Sequence, residues 1–281
     1  MNAPTFEILL PFYGAFAPLK AAVRSVLAQE DGALTLLVLE DGDQGFDTAG
    51  WLSSLDDDRV RYLVNPTRLG IAATFQRALD ESVGDYVVFL GCDDVMLPNY
   101  LQSIRAALAQ VADADVIQPG VLVIDAEGRL VMPLGDRIKA ALRPRVRRPT
   151  VLNNESVAAR LMQGNWTYFP SICWRRDTIR RHGYRADLPT LLDLALLIDV
   201  LAEGGSFVLS PETAFHYRRH PASASSRTAA DRTRFNEEIR FHEESAARFT
   251  QLGWNRAARS ARLRLTSRLH AALRRLSSLR R

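Results

Sequence analysis

The sequence predicts an α/β fold, a mostly parallel sheet flanked by helices. Three observations carry the prediction. Apolar runs of strand length alternate with segments of helical period through the first 125 residues. Two of those runs, "LTLLVLEDGD" and "DYVVFLGCDD", stop abruptly in carboxylates, as strands do where a ligand-binding edge begins. Hydrophobic residues make up 47% of the 281, ample for a packed core.

The elements follow in order. "FEILLP" (6–11) is a strand. "PLKAAVRSVLAQ" (18–29) places Leu19, Ala22, Val23, Val26 and Leu27 on one helical face behind an initial proline. Residues 34–43 form a buried strand that ends in acids and a turn, and "VRYLVN" (60–65) a short strand. "GIAATFQRALDES" (70–82) is helical, "DYVVFL" (85–90) a strand, "NYLQSIRAALAQV" (99–111) helical, and "ADVIQPGVLVID" (114–125) strand-like. Such alternation calls for right-handed crossovers and a binding edge at the strands' carboxyl ends. The middle differs: "DRIKAALRPRVRRPTVLNNES" (136–156), with two prolines and five arginines, reads as a mobile or ligand-ordered loop. Beyond it come a helix in "SVAARLMQ", an aromatic strand running into a basic helix in "NWTYFPSICWRRDTIRRHG", and a helix in "LPTLLDLALLIDVLAEGG". Residues 230–281 are expected to be helical, with Leu265, Leu269, Leu273 and Leu276 on one face.

Two cysteines, Cys92 and Cys173, are too few for a disulfide framework or a cysteine-rich zinc site. The N-terminus reads as a first strand and no apolar run reaches the roughly 18 residues a membrane span requires, so a cytoplasmic protein is expected. The net charge is +4, but the ten arginines beyond Glu244 meet no acid there, so residues 1–244 carry −6. A basic amphipathic tail (248–281) suits an anionic membrane surface; an ordinary packed helix and a dimerisation helix are the alternatives. No nucleic-acid motif accompanies the charge, so no nucleic-acid partner is expected.

The chemistry sits at the acids. Asp93 and Asp94 are adjacent like charges, costly to bury unpaired, and ask for a cation, a basic partner or water. "LEDGD" sets Glu40 and Asp41 at a second strand end, although Asp-Gly-Asp is also plain turn chemistry. "NPTRLG" brings Arg68 to the start of a helix. Asp193 is a lone acid among leucines, with Asp199 and Asp187 as its competitors for any general-base role. "GNWTYFPS" offers aromatic faces, Trp166 foremost, although strand aromatics are more often core.

In order and spacing, "ILLPFYG", "LEDGD", "NPTRLGIAATFQRAL" and "GDYVVFLGCDDVMLPNYL" resemble the nucleotide-sugar half of glycosyltransferase family 2, whose fold is GT-A, a Rossmann-like sheet flanked by helices. "LLDLALLIDVLAEGG" and "YRRHPASAS" are similar to its acceptor half. The resemblance implies a GT-A domain over 1–229 (1–125 donor side, 126–229 acceptor side) with a helical extension over 230–281. It implies Pro11, Tyr13, Glu40, Asp41, Arg68, Asp93, Asp94 and Arg218 at the nucleotide sugar, with Asp41 on the base, Glu40 near the ribose and Arg218 at the diphosphate. It implies Mg2+ or Mn2+ held by Asp93 and His220. Asp193 falls on the general base; Trp166, from the aromatic stretch before it, is the acceptor-side candidate because aromatic faces suit sugar rings. Three positions depart from the pattern: Gly91 replaces the first metal-binding acid, Leu192 a glutamate, and Asp199 an arginine.

The expected function is inverting transfer from a nucleotide diphosphate sugar, UDP-linked by preference, to a hydroxyl of a glycan or lipid-linked acceptor. The arginine loop 143–148 is expected to close over the donor. The enzyme would lie in the cytoplasm, peripheral on the inner face of the membrane, with a homo-oligomer open. The alternatives are an inactive nucleotide-sugar-binding or assembly protein, and a nucleotidyltransferase, for which "LLPFYGAFAPLK" lacks the Gly-rich basic phosphate loop.

Overall fold

A computed structural model describes residues 3–185, 187–219 and 232–263. Among them, nine strands form one sheet in the order β3-β2-β1-β4-β8-β6-β9-β5, with β7 against β9. β1 (Phe6–Phe12) pairs in parallel with β2 (Leu34–Glu40) and β4 (Tyr86–Phe89), and β2 with β3 (Val60–Val64). The pleat sends alternate residues to opposite faces: Phe6, Ile8, Leu10 and Phe12 enter one core, Leu9 the other. A sheet covered on both faces needs apolar residues on both, which is why these strands read as continuous runs.

Helix α1 (Phe16–Leu27) buries Leu19, Ala22, Val23 and Val26, the expected face. α3 (Ile71–Asp80) and α4 (Tyr100–Gln110) also stand where their periods place them. A short helix α2 (Thr48–Ser53), capped by the Asp47 carboxylate, lies between β2 and β3. The acceptor half turns antiparallel: β8 (Cys173–Arg175) runs against both β4 and β6 (Val116–Ile124). β9 (Phe207–Arg218) runs parallel to β6 and carries the two-residue β5 (Val95–Met96) on its other side. That pairing clamps the turn 91–94 between β4 and β9.

The expected loop at 136–156 is largely ordered structure. α5 (Leu134–Leu142), β7 (Thr150–Val151) and the start of α6 (Glu155–Gln163) fill it. Its one buried residue within α5 is Asp136, so the helix is anchored by a charge and apolar periodicity could not reveal it. A 3-10 turn (Phe169–Ser171), then α7 (Arg176–His182) and α8 (Leu192–Ala202) follow. The last described elements are α9 (Arg232–Gln251) and α10 (Asn255–Leu263). α10 packs Ala257, Ala258 and Ala261 into the same core as α6 and α8. The Glu155 carboxylate accepts from the Arg256 and Ala257 N–H groups at the start of α10. Residues 264–281, with Leu265 and the leucines that follow, lie outside the described residues. Among the described residues, no helix is long and apolar enough to cross a membrane.

Candidate active site

Parallel pairing of β1, β2, β3 and β4 brings their carboxyl ends to one edge. There lie Tyr13, Glu40–Asp41, the segment Asn65–Gly70 and the turn Gly91–Asp94. Pro11 pairs with Leu39 in register and is partly buried, whereas Tyr13, two residues on, is 41% exposed. The Arg68 guanidinium lies over the Tyr13 ring, 4.0 Å from its centre. Arg68 comes this close because Gly42 touches its backbone: a Cβ on Gly42, itself at φ +79°, would meet the Arg68 nitrogen at 2.9 Å. The two side chains form an exposed cationic and aromatic wall at the strand ends.

Asp41 is buried and heavily used. Its carboxylate accepts from the Asn65 side-chain amide (2.8 Å), the Leu69 N–H (2.7 Å) and the Gly70 N–H (2.9 Å). Burial alone would raise its pKa, but these donors outweigh it and hold the group below the usual aspartate value. Asp41 therefore fastens the segment that carries Arg68. Glu40 is also buried. Its carboxylate accepts from the Tyr62 hydroxyl (2.7 Å) and the Gln44 N–H (3.0 Å), so the expected ribose contact gives way to a strut between β2, β3 and the following turn.

The acid turn is asymmetric. Asp94 is 1% exposed and accepts from the Arg218 N–H at 2.7 Å; burial first, then the neighbouring Asp93 charge, push its pKa well up. Asp93 is only partly buried. A Cβ at Gly91 would collide with the Asp94 Oδ2, so the missing first acid and the inward-turned Asp94 belong together. Asp94 is thus a structural acid, which corrects its expected place at the nucleotide sugar. Arg218 was expected at the diphosphate. Instead its Nε donates to the Asp93 carbonyl (2.7 Å) and its Nη1 to the carbonyls of Asp125 (2.9 Å) and Ala126 (3.0 Å). One donor thus fixes the acid turn and two fix the turn that follows β6, so three of the five N–H donors tie these two segments together. His220 lies outside the described residues.

Asp193 occupies the first turn of α8, where the helix dipole favours an anion. It is partly buried and accepts from the Asn165 side-chain amide at 2.7 Å. Asn165 is oriented in turn by Thr167, whose N–H (3.1 Å) and hydroxyl (2.6 Å) donate to its Oδ1. Burial first, then the Asp193 charge, push the Tyr184 phenol well up. Tyr184 meets Phe89 edge-on at 5.6 Å, and Phe89 ends β4 just ahead of the acid turn. The competitors are engaged elsewhere: Asp199 with Arg248, and Asp187 with Arg185 and Arg240.

Trp166 is corrected. It is fully buried and stacked on Phe207, 5.6 Å apart and 2° from parallel, so neither face can meet an acceptor. Its neighbour Asn165 is the residue of that stretch that meets Asp193, and no pattern in the sequence paired residues 165 and 193. Arg143 is also no free lid residue, since its Nη2 donates to the Pro119 and Ser210 carbonyls at 3.3 and 3.2 Å.

The donor set for a divalent ion is small. Among the described residues no three His, Cys, Asp or Glu side chains gather in one place. With Asp94 turned inward, Asp93 is the fitting ligand at this edge. A single carboxylate suits a hard cation that arrives with a diphosphate and keeps water and phosphate oxygens as its other ligands.

The solved structures of Staphylococcus aureus TarS (residues 1–349) share this fold. One superposes with a TM-score of 0.66 at 14% identity, covering 92% of this chain and 71% of that one. The fold is therefore GT-A, as the sequence implied. An Escherichia coli relative, the UDP-Glc:alpha-D-GlcNAc-diphosphoundecaprenol beta-1,3-glucosyltransferase WfgD, is 32% identical over 34% of this chain and 38% of its own length. A Campylobacter jejuni relative, the GalNAc(5)-diNAcBac-PP-undecaprenol beta-1,3-glucosyltransferase, is 28% identical over 45% of this chain and 41% of its own. The matched segment thus spans less than half the length of these relatives. The family model described as "Glycosyl transferase family 2" matches residues 7–174, which run from β1 through the acid turn and Asn165 to β8. The sheet edge, the acid turn and the family match agree, and the chain belongs to glycosyl transferase family 2.

Proposed function

We propose that this protein transfers a sugar from a nucleotide diphosphate sugar, UDP-linked by preference, to a hydroxyl of a glycan or lipid-linked acceptor, with inversion at the anomeric carbon. The observation that carries the reading is Asp193, partly buried in the first turn of α8 and held there by the Asn165 side-chain amide at 2.7 Å. The nucleotide would lie on the edge formed by Tyr13, Arg68 and the Asp41-fastened segment, with Arg68 and Tyr13 offering faces to a base. Two relatives named for acceptors on a diphosphoundecaprenol carrier support a lipid-linked acceptor, and a TarS structure in complex with UDP-GlcNAc supports a UDP-sugar donor.

Asp93 would hold Mg2+ or Mn2+, which supplies charge neutralisation at the departing diphosphate. Asp193 removes the acceptor hydroxyl's proton as that oxygen attacks the anomeric carbon on the face opposite the leaving group. Asn165 keeps the carboxylate oxygen Oδ2 in place, which leaves Oδ1 to take the proton. The experiment is Asp193→Asn, assayed for transfer across a panel of nucleotide sugars and, by calorimetry, for donor affinity. Transfer should fall by about 100-fold or more while donor affinity holds. Near-normal transfer would remove Asp193 from the reaction. A wild-type chain that binds donor but never transfers would support the non-catalytic binding protein.

A further inference from the structure

The segment that leads into α5 carries a run of exposed apolar side chains. Leu130, Met132, Leu134 and Ile138 are 64%, 55%, 70% and 40% exposed. One exposed leucine is ordinary, but four large apolar side chains within nine residues form a patch. α5 itself is firmly held. The Arg219 guanidinium donates to Asp136 from Nε (3.0 Å) and Nη2 (2.9 Å), and the Tyr168 hydroxyl donates to the same carboxylate (2.9 Å). Lys139 donates to the Thr167 carbonyl at 2.7 Å. Surface helices usually bury an apolar stripe and show charges. Here the buried anchor is the charge, and Leu134 and Ile138, one turn apart, face outward.

The charge around the ridge is one-sided. From Gly128 to Asn154 the only acid is Asp136, and it is buried against Arg219. Arg137, Arg145, Arg147 and Arg148 are exposed. We propose that this ridge docks the protein on an anionic lipid surface, with the four apolar side chains entering the acyl boundary and the arginines meeting headgroup phosphates. Exposed apolar and cationic groups within one segment, 130–148, suit that occupant. A second copy across a two-fold axis would set the arginines against their own images. The basic tail competes poorly over its described part, because Phe249, Ala257, Ala258 and Ala261 are buried in the domain and Arg248 is paired with Asp199.

The ridge also sits where a lipid surface would serve the site. α5 is bonded to Thr167, two residues from Asn165, and to Arg219, next to the residue that fixes the acid turn. Lipid docking is read without donor or acceptor, so it stands or falls separately from the transfer reaction.

The test is co-sedimentation of the full chain with vesicles of phosphatidylcholine containing about 30% phosphatidylglycerol, and with phosphatidylcholine alone. Binding to the anionic vesicles is expected, weaker in about 0.5 M salt and weak on neutral ones. Leu134→Gln with Ile138→Gln should lower it about tenfold or more. Leu130→Gln with Met132→Gln, outside the helix, should act in the same direction and guards against a folding defect in the first pair. Absence of wild-type binding, or undiminished binding by both pairs, overturns the proposal. So does sedimentation velocity that shows a dimer dissolved by these substitutions.

Discussion

Asp41 shows how one buried carboxylate can shape a candidate site. Three donors from the Asn65–Gly70 segment converge on it and keep its pKa low despite burial. A group whose folded pKa lies below its unfolded value stabilises above that value and loses the contribution as pH falls through the folded one. Asp41→Asn should therefore cost about 2 kcal/mol at pH 7. The gap to wild type should narrow as the pH falls below the ordinary value of 3.8. Urea unfolding of both proteins at neutral and acid pH measures it, and a gap independent of pH would mean that the charge is irrelevant. The residue types of the site were legible in the sequence; several of their roles were not. Glu40, Asp94 and Arg218 carry the chemistry of ligand-binding residues but spend it on Tyr62, on the Arg218 N–H and on main-chain carbonyls. Asn165 gave no signal, because its partner Asp193 lies 28 positions away.

At the scale of elements, α5 is the case where periodicity failed. Its single buried residue is an aspartate, so an apolar-face argument had nothing to find. Asp136→Ala would leave the Arg219 guanidinium and the Tyr168 hydroxyl without their shared acceptor. Removing one partner of such a buried pair costs about 3 kcal/mol, and Arg219, 29% exposed, keeps some water to soften it. Hydrogen exchange should rise across 134–142 before any other helix responds, and unchanged protection there would contradict the anchoring role. The parallel strands, by contrast, were legible almost to the residue. A strand buried on both faces must be apolar throughout, and few alternatives read that way.

At the scale of the molecule, the described part of the C-terminal extension shares a core with the α/β sheet and its helices. Phe241, Phe249, Ala257, Ala258 and Ala261 belong to the cluster that also holds Leu196, Leu209 and Trp166. Ala258 is 1% exposed, so Ala258→Glu would bury an unpartnered carboxylate and cost about 3 kcal/mol or more. Because the core is continuous, the loss should appear as one shifted cooperative transition in thermal unfolding. A separate low-temperature step confined to the extension would show that the two parts fold apart.

The chain's local order was enough to determine the α/β class, the parallel donor-side sheet and the edge where its ligands belong. Hydrophobic period and strand-end acids are local properties, written within ten or fifteen residues. Which acid points inward, which arginine is spent on carbonyls, and which amide holds Asp193 depend on residues far apart in sequence. Burial and hydrogen-bond geometry made those choices, and only the packed structure supplies both.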